Sequence, residues 1–223
     1  MSAVPPIGYL VPEFPSQTHA FFWRELTAME EAGARIHVFS TRRPPPEACP
    51  HEFRAAAVAR TDYLFPPRIG AALGQMLRHP QGTARAAAHA LGLSESPWRD
   101  RLRVLAMLPS AAMLARACEA EGIAHVHIHS CANSAHLGAM AAHLGGPAYS
   151  LTLHGDLPVY GRDHAAKMRG ARFVSAVTRA LAADIARVSP CTAHPVIWMG
   201  VDTARFRPGP ARAEGGPFTV VTV

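Results

Sequence analysis

Histidines, hydroxyls and carboxylates gather in three short segments of this chain. In His125-Val126-His127-Ile128-His129-Ser130-Cys131-Ala132-Asn133 the histidines fall at alternate positions, which on a strand share one face. Imidazole is a common zinc ligand, so the pattern suits a metal cluster, but a cluster needs further ligands from other strands. Only His154-Gly155-Asp156 offers any. The other reading makes His125 and His127 packing residues and leaves His129, nearest the carboxyl end of the strand, to face a ligand. At the end of Ser150-Leu151-Thr152-Leu153-His154-Gly155-Asp156 an apolar strand runs into a histidine and a glycine. Gly155 lets the backbone turn or approach a ligand closely. His154 is suited to bond a hydroxyl or a phosphate, and Asp156 to accept from a hydroxyl. The third segment is Pro12-Glu13-Phe14-Pro15-Ser16-Gln17-Thr18, just before a helix. Free backbone N–H groups at a helix start form an anion site, suited to a phosphate. No G-x-G-x-x-G is present, which argues against a standard dinucleotide site. A capped turn would account for Ser16 and Thr18 but not for Glu13.

The elements that carry these segments alternate. Residues 7–11 form a short apolar run. Phe22, Leu26 and Met29 then fall at helical spacing across 18–32. Ser16 or Thr18 could cap that helix, and Gly33 suits the left-handed residue after it. Residues 35–40 alternate as a strand, completing a βαβ unit with a right-handed crossover. After prolines 44–46 and 50, a helix is expected over 51–59 and a short strand over 62–65. Residues 68–121 are mostly helical, broken at Pro80, Gly92 and Pro97. This insert carries Arg68, Arg78, Arg85, Arg99, Arg101 and Arg103 among apolar residues, either as the solvated faces of packed helices or as a basic surface resting on a membrane. Strands at 125–129, 149–153, 173–177 and 195–199 then alternate with helices at 132–144 and 179–188. The class this predicts is α/β, a doubly wound parallel sheet, whose ligands sit at the carboxyl ends of the strands, where the three segments lie. FTVVTV at 218–223 reads as one more buried strand with nothing after it, so the chain reads as unfinished.

Composition narrows the partners. The 223 residues are 49% hydrophobic and 17% charged, enough to bury a sizeable core. Arginine supplies nearly all the positive charge, Lys167 being the sole lysine, and the net charge is +6. A basic surface attracts phosphates, anionic membranes or nucleic acid. With 7% aromatic residues and no recognisable binding motif, nucleic acid is not expected. Cys49, Cys118, Cys131 and Cys191 have no framework spacing and read as reduced thiols. The first residues lack a signal-peptide pattern. The longest apolar tract, 104–115, contains Pro109 and is too short to span a bilayer. A cytoplasmic chain, in peripheral contact with the inner membrane face at most, is expected.

Four stretches in order, GYLVPEFPSQTHAFFWREL, VHIHSCANSAHLGAMAAHLGG, YSLTLHGD and VIWMGVDTARFRPGP, resemble family 4 of the glycosyltransferases. The likeness is to bacterial members that build exopolysaccharide or lipopolysaccharide. It implies the N-terminal half of a GT-B fold over residues 1–208, a Rossmann-like acceptor-side domain. Residues 209–223 would be a linker and the first strand of a nucleotide-sugar-binding domain, which in the family carries two glutamates seven residues apart. The implied activity is retaining transfer of a sugar from a nucleotide-sugar donor to a glycan or lipid-linked acceptor, with no cofactor and no bound metal. The resemblance implies that Glu13, Ser16, Gln17 and Thr18 approach the donor diphosphate and that His154 contacts the transferred sugar. Asp156 joins His154 as a catalytic candidate, and His129, Ser130, Asn133 and Gly155 are expected to line the cleft. The chain departs from the family where Gln17 stands between Ser16 and Thr18 in place of a carboxylate. Two other readings remain at this stage. One is a metal-dependent hydrolase using His127, His129, His154 and Asp156. The other is a non-catalytic α/β module that binds a phosphorylated glycan or a partner protein.

Overall fold

Short apolar runs joined by single helices pair in parallel, because each crossover carries the chain back to the same end of the sheet. The computed structural model describes residues 5–190, 192–204, 206–209 and 220. Strands β1 (Ile7–Val11), β2 (Ile36–Ser40), β3 (Thr61–Tyr63), β4 (His125–Ile128), β5 (Ala148–Leu153) and β6 (Ala171–Ala176) form one sheet in the order 3-2-1-4-5-6. Every neighbouring pair is parallel. The order reverses between β1 and β4, which is where an open α/β sheet leaves its crevice. The α/β class and the doubly wound sheet are therefore as expected.

Central strand β1 is covered on both faces. On one, Tyr9 and Val11 pack with Val38 against Phe22 and Leu26 of α1 (Ala20–Glu31) and Ala57 of α2 (Arg54–Ala59). On the other, Leu10, Ile128 and Leu151 pack against α6 (Leu108–Glu121) and α7 (Asn133–His143). Leu10, Leu26 and Ile128 are fully buried, each contributing about 1.5–3 kcal/mol by leaving water. Helix α7 comes so close to the sheet that a Cβ on Gly138 would sit 2.3 Å from Ile128 Cδ1. The end of α1 is closed by Gly33 at φ 92°, with Ala34 N–H donating to Met29 O at 2.9 Å, a left-handed close that glycine adopts freely.

The insert is an added layer. Helices α3 (Ile69–Arg78), α4 (Pro80–Leu91) and α5 (Trp98–Leu105) precede α6. Helix α3 packs on α6, α4 on α7, and α5 on α4. Pro80 opens α4, Gly92 closes it and Pro97 precedes α5, each where a missing N–H or lost helix propensity is tolerated. A further break at 106–107 separates α5 from α6. Helices α8 (His164–Met168) and α9 (Arg179–Val188) flank β6.

Two local expectations need correction. Neither Ser16 nor Thr18 caps α1: a single 3-10 turn, Gln17–His19, leads in, and no side-chain cap bond forms. Residues 195–199 do not make a regular strand. They follow the outer edge of β6 through isolated parallel bridges, with Ala176 N–H donating to Pro195 O and Ile197 N–H to Ala176 O. Pro195 has no N–H to give the ladder, which limits the pairing. Cys191 and all of 218–223 except Val220 lie outside the described residues, as does most of the expected second unit at 209–223. Cys49, Cys118 and Cys131 are buried free thiols, and burial pushes Cys118 and Cys131 up to about 12. No described helix is long and apolar enough to cross a membrane.

Candidate functional site

Three loops meet at the carboxyl ends of β1, β4 and β5. His129 continues the ladder just past β4, its N–H donating to Leu10 O at 3.0 Å. His154 follows β5 directly, and its N–H and that of Gly155 both donate to Tyr160 Oη, at 2.9 and 3.0 Å. Tyr160 is fixed in turn by buried Lys167, whose Nζ donates to Tyr160 O at 2.8 Å. His129 Nδ1 and His154 Nε2 then lie 3.2 Å apart. Phe22 from α1 presses its edge on both rings, with centroids 4.8 and 5.2 Å away, and Tyr9 lies 4.2 Å from His129. His19, at the head of α1, stands 5.1 Å from Phe22.

Burial decides the charge of this cluster. His154 and His19 are each lowered to about 4, first by desolvation; a positive His154 would also be opposed by His19, whereas Glu13 partly offsets the shift of His19. His129 is pushed well below the ordinary histidine range by burial and by its histidine neighbours. All three rings are neutral at pH 7. A neutral imidazole has one N–H and one lone pair, and the contact between His129 and His154 uses one of each. Whichever tautomers occur, the pair keeps one donor and one acceptor, on His129 Nε2 and His154 Nδ1. Both atoms, and His19 Nδ1, are buried without a hydrogen-bond partner among the described residues. Buried polar atoms are seldom left so. Ligand hydroxyls, which both donate and accept, match the two nitrogens one apiece.

Below His129 the histidines do other work. Ser150 Oγ lies 2.7 Å from His125 Nε2 and 2.6 Å from His127 Nδ1, while His127 Nε2 meets Thr152 Oγ1 at 2.7 Å. The ring of His127 stacks on Phe173. With both nitrogens engaged, His127 has no lone pair to give a metal. Among the described residues no three His, Cys, Asp or Glu side chains form a group able to hold one. The metal-dependent hydrolase reading built on His127, His129, His154 and Asp156 is therefore dropped.

The first loop is built on Glu13 at φ 51°, a left-handed conformation unusual away from glycine. Phe14 N–H donates to Ser40 Oγ at 2.9 Å, and Tyr63 Oη donates to Phe14 O at 3.2 Å. The Glu13 carboxylate takes Arg42 Nε at 2.8 Å and Nη2 at 2.6 Å. Glu13 thus holds an arginine beside the loop instead of facing the cleft unpaired. Ser16 is half-buried; Gln17 and Thr18 are exposed, and Gln17 O accepts from His51 Nε2 at 2.7 Å. Ser130 Oγ is occupied by Ala132 N–H at 2.9 Å. Asn133 at the head of α7 and Asp156, two residues past His154, are exposed, neither lines the groove described below, and neither makes a side-chain hydrogen bond to the histidine pair.

A groove of about 960 Å³ runs from His154 down the sheet face, between α1 and residues 197–202. Its lining is mostly apolar, with Tyr9, Phe21, Phe173 and Trp198 among it and Glu25 and His127 as polar points. Glu25 accepts from Tyr9 Oη at 3.1 Å, and burial raises its carboxyl above the usual range.

No protein-family model and no curated protein sequence matches the chain. Among solved structures it is similar to a sucrose-phosphate synthase from Thermosynechococcus elongatus, at 16% identity and a TM-score of 0.58. The match covers 92% of this chain and 51% of that one. A second likeness is to MurG of Acinetobacter baumannii, at 11% identity and a TM-score of 0.49, over 89% and 47% of the two chains. The described residues have the α/β fold of a Rossmann-like GT-B half-domain. At such identities the likeness extends to the fold alone. The chain spans about half the length of each of these two proteins.

His19, Arg42 and Tyr160 were not singled out from the sequence, and Phe22 only as a residue of the helix core. His19 carried a usable signal, a histidine at the start of the helix that follows the first loop. Arg42 carried none, because its ion pair joins residues 29 apart.

Proposed function

We propose that this chain is the acceptor-side half of a retaining glycosyltransferase, of hexosyltransferase type, that uses a nucleotide-sugar donor. The observation that carries the reading is the neutral His129–His154 pair with its two unsatisfied nitrogens at the carboxyl ends of β4 and β5. In this reading separate sugar hydroxyls meet those two nitrogens. The departing diphosphate lies against the loop of residues 12–18, its charge met by the N–H groups opening α1 and by Arg42, which Glu13 steadies. Catalysis is then largely positioning and charge neutralisation. Asp156, Asn133, Ser16, Gln17 and Thr18 are rim residues available to the acceptor or donor. Residues 209–223 begin the nucleotide-binding domain, and the acceptor is a glycan or lipid-linked intermediate of envelope polysaccharide assembly in the cytoplasm. Glycosyl chemistry as such is in keeping with the sucrose-phosphate synthase, about half of whose fold this chain shares.

The test is sugar transfer by the complete polypeptide from a panel of nucleotide-diphosphate sugars, followed by anomeric NMR of the product. An α-linked product from an α-linked donor supports retention; an inverted centre overturns it. His154→Ala should lower turnover at least about tenfold, roughly 1.4 kcal/mol of barrier. Unchanged turnover removes His154 from the site.

A further inference from the structure

Strand β5 ends at Leu153, and the next two N–H groups, of His154 and Gly155, both donate to Tyr160 Oη. Backbone N–H groups that leave a ladder must find an acceptor elsewhere. One phenol oxygen therefore sets the turn that carries the His154 ring. A 3-10 turn, Leu157–Tyr160, bends the loop back far enough for that oxygen to reach. The other end of Tyr160 is held by Lys167 of α8, whose Nζ donates to Tyr160 O at 2.8 Å. Lys167 is itself tied to the sheet, its own carbonyl accepting from Tyr149 Oη at 2.8 Å. A buried ammonium is costly to keep, and this one is spent on a loop carbonyl.

The ties continue into the helical insert. Asp163 opens α8 at φ 57°, a left-handed conformation that persists only where its neighbours over-determine it. Those neighbours come from the loop between α4 and α5. Asp163 N–H donates to Glu95 Oε2 at 2.8 Å, Glu95 N–H donates to Asp163 Oδ1 at 2.9 Å, and Ser96 Oγ donates to Asp163 Oδ2. Lys167 follows one helical turn later, its N–H donating to Asp163 O at 3.1 Å. Hydrogen bonds thus run from Glu95 and Ser96 through Asp163, Lys167 and Tyr160 to the turn at His154.

We propose that Tyr160 and Lys167 are positioning residues for the His129–His154 pair, kept in place by the grip of Glu95 and Ser96 on Asp163. Both act through the main chain of residues 154–155 and not through a ring. The contact of His129 Nδ1 with His154 Nε2 spans 3.2 Å, and such a bond weakens steeply with misalignment. A turn freed from Tyr160 Oη lets His154 swing off its partner. Their part in catalysis rests on that pair being the sugar contact, but the placement of the rings can be read with no substrate present.

The experiment is nitrogen NMR of the histidine rings in the 223-residue chain at pH 7. In the parent, His129 and His154 should each hold one tautomer, because one ring must donate to the other. Tyr160→Phe keeps the aromatic ring and removes only the oxygen. It should set both imidazoles exchanging between tautomers while circular dichroism stays as in the parent. Amide hydrogen exchange at His154 and Gly155 should rise at least about tenfold, the loss of one hydrogen bond. Lys167→Met, and Glu95→Ala combined with Ser96→Ala, should also release the rings. Thr178→Ala, which removes the cap of α9 and loosens the chain elsewhere, should leave them fixed. In the complete polypeptide Tyr160→Phe should lower kcat about tenfold with KM for the donor little changed.

Rings already exchanging in the parent, or still fixed in Tyr160→Phe, overturn the proposal. So do rings released by Thr178→Ala, since the pair would then answer to any loosening of the chain. Should Tyr160→Phe fail to fold, fixed rings in Lys167→Met overturn it. Fixed rings in the variant of Glu95 and Ser96 overturn the part given to the insert. Absence of sugar transfer by the parent overturns the transferase reading instead, and the ring signals still decide the positioning role.

Discussion

Two neutral histidines joined through ring nitrogens present one donor and one acceptor, and that balance lasts only while neither is protonated. His154 and His19 have folded values of about 4 against 6.5 for the free side chain. Between those values the unfolded chain binds more protons than the folded one, so stability is full above pH 6.5 and falls as pH drops toward 4. Urea unfolding at pH 7 and pH 5 should differ by roughly 1 kcal/mol for each such histidine, with some allowance for solvent reaching His154. His154→Gln should remove its share of that slope, and an unchanged slope would mean the ring is not buried neutral. In the proposed transferase kcat/KM should hold until pH approaches the folded values near 4, well below the pH at which stability starts to fall. The histidine pattern on β4 was legible in the sequence because alternation is a local property. The division of labour within it was not, because Ser150, Thr152, Phe22 and His154 reach those rings from other elements.

Helix termini and helix contacts divide into what the sequence states and what packing imposes. Thr178 caps α9, its Oγ1 accepting from Leu181 N–H at 3.1 Å. Thr178→Ala should therefore cost about 1 kcal/mol in a chemical melt. Ser16 and Thr18 looked equally good as caps, but the chain enters α1 through a 3-10 turn and their hydroxyls go unused. Gly82 in α4 faces His143 O, which a Cβ would approach to 2.0 Å, whereas a Cβ on Gly74 would meet nothing within 4 Å. Alanine at 82 should destabilise by about 1–3 kcal/mol, since two helices must separate. At 74 it should stabilise by about 0.4–1 kcal/mol. If the two variants melt alike, the contact of α4 with α7 is not as close as described. Neither glycine could be told from the other in the sequence, because the difference lies in what stands opposite.

The whole molecule follows from strand order. Alternating strands and helices announce a parallel sheet, so the class was legible, whereas the reversal between β1 and β4 that places the crevice follows from the strand order and is not a local property. The layer of α3, α4 and α5 outside α6 and α7 was legible only as helix, since nothing local says which faces meet. One property of the molecule as a whole follows from the clamp that holds Tyr160. Lys167 is the chain's sole lysine and is only 2% exposed, with its Nζ bonded to Tyr160 O. Amine-reactive reagents should therefore pass over this side chain while the chain is folded. Label appearing on Lys167 would then count unfolded molecules one by one, with no further engineering.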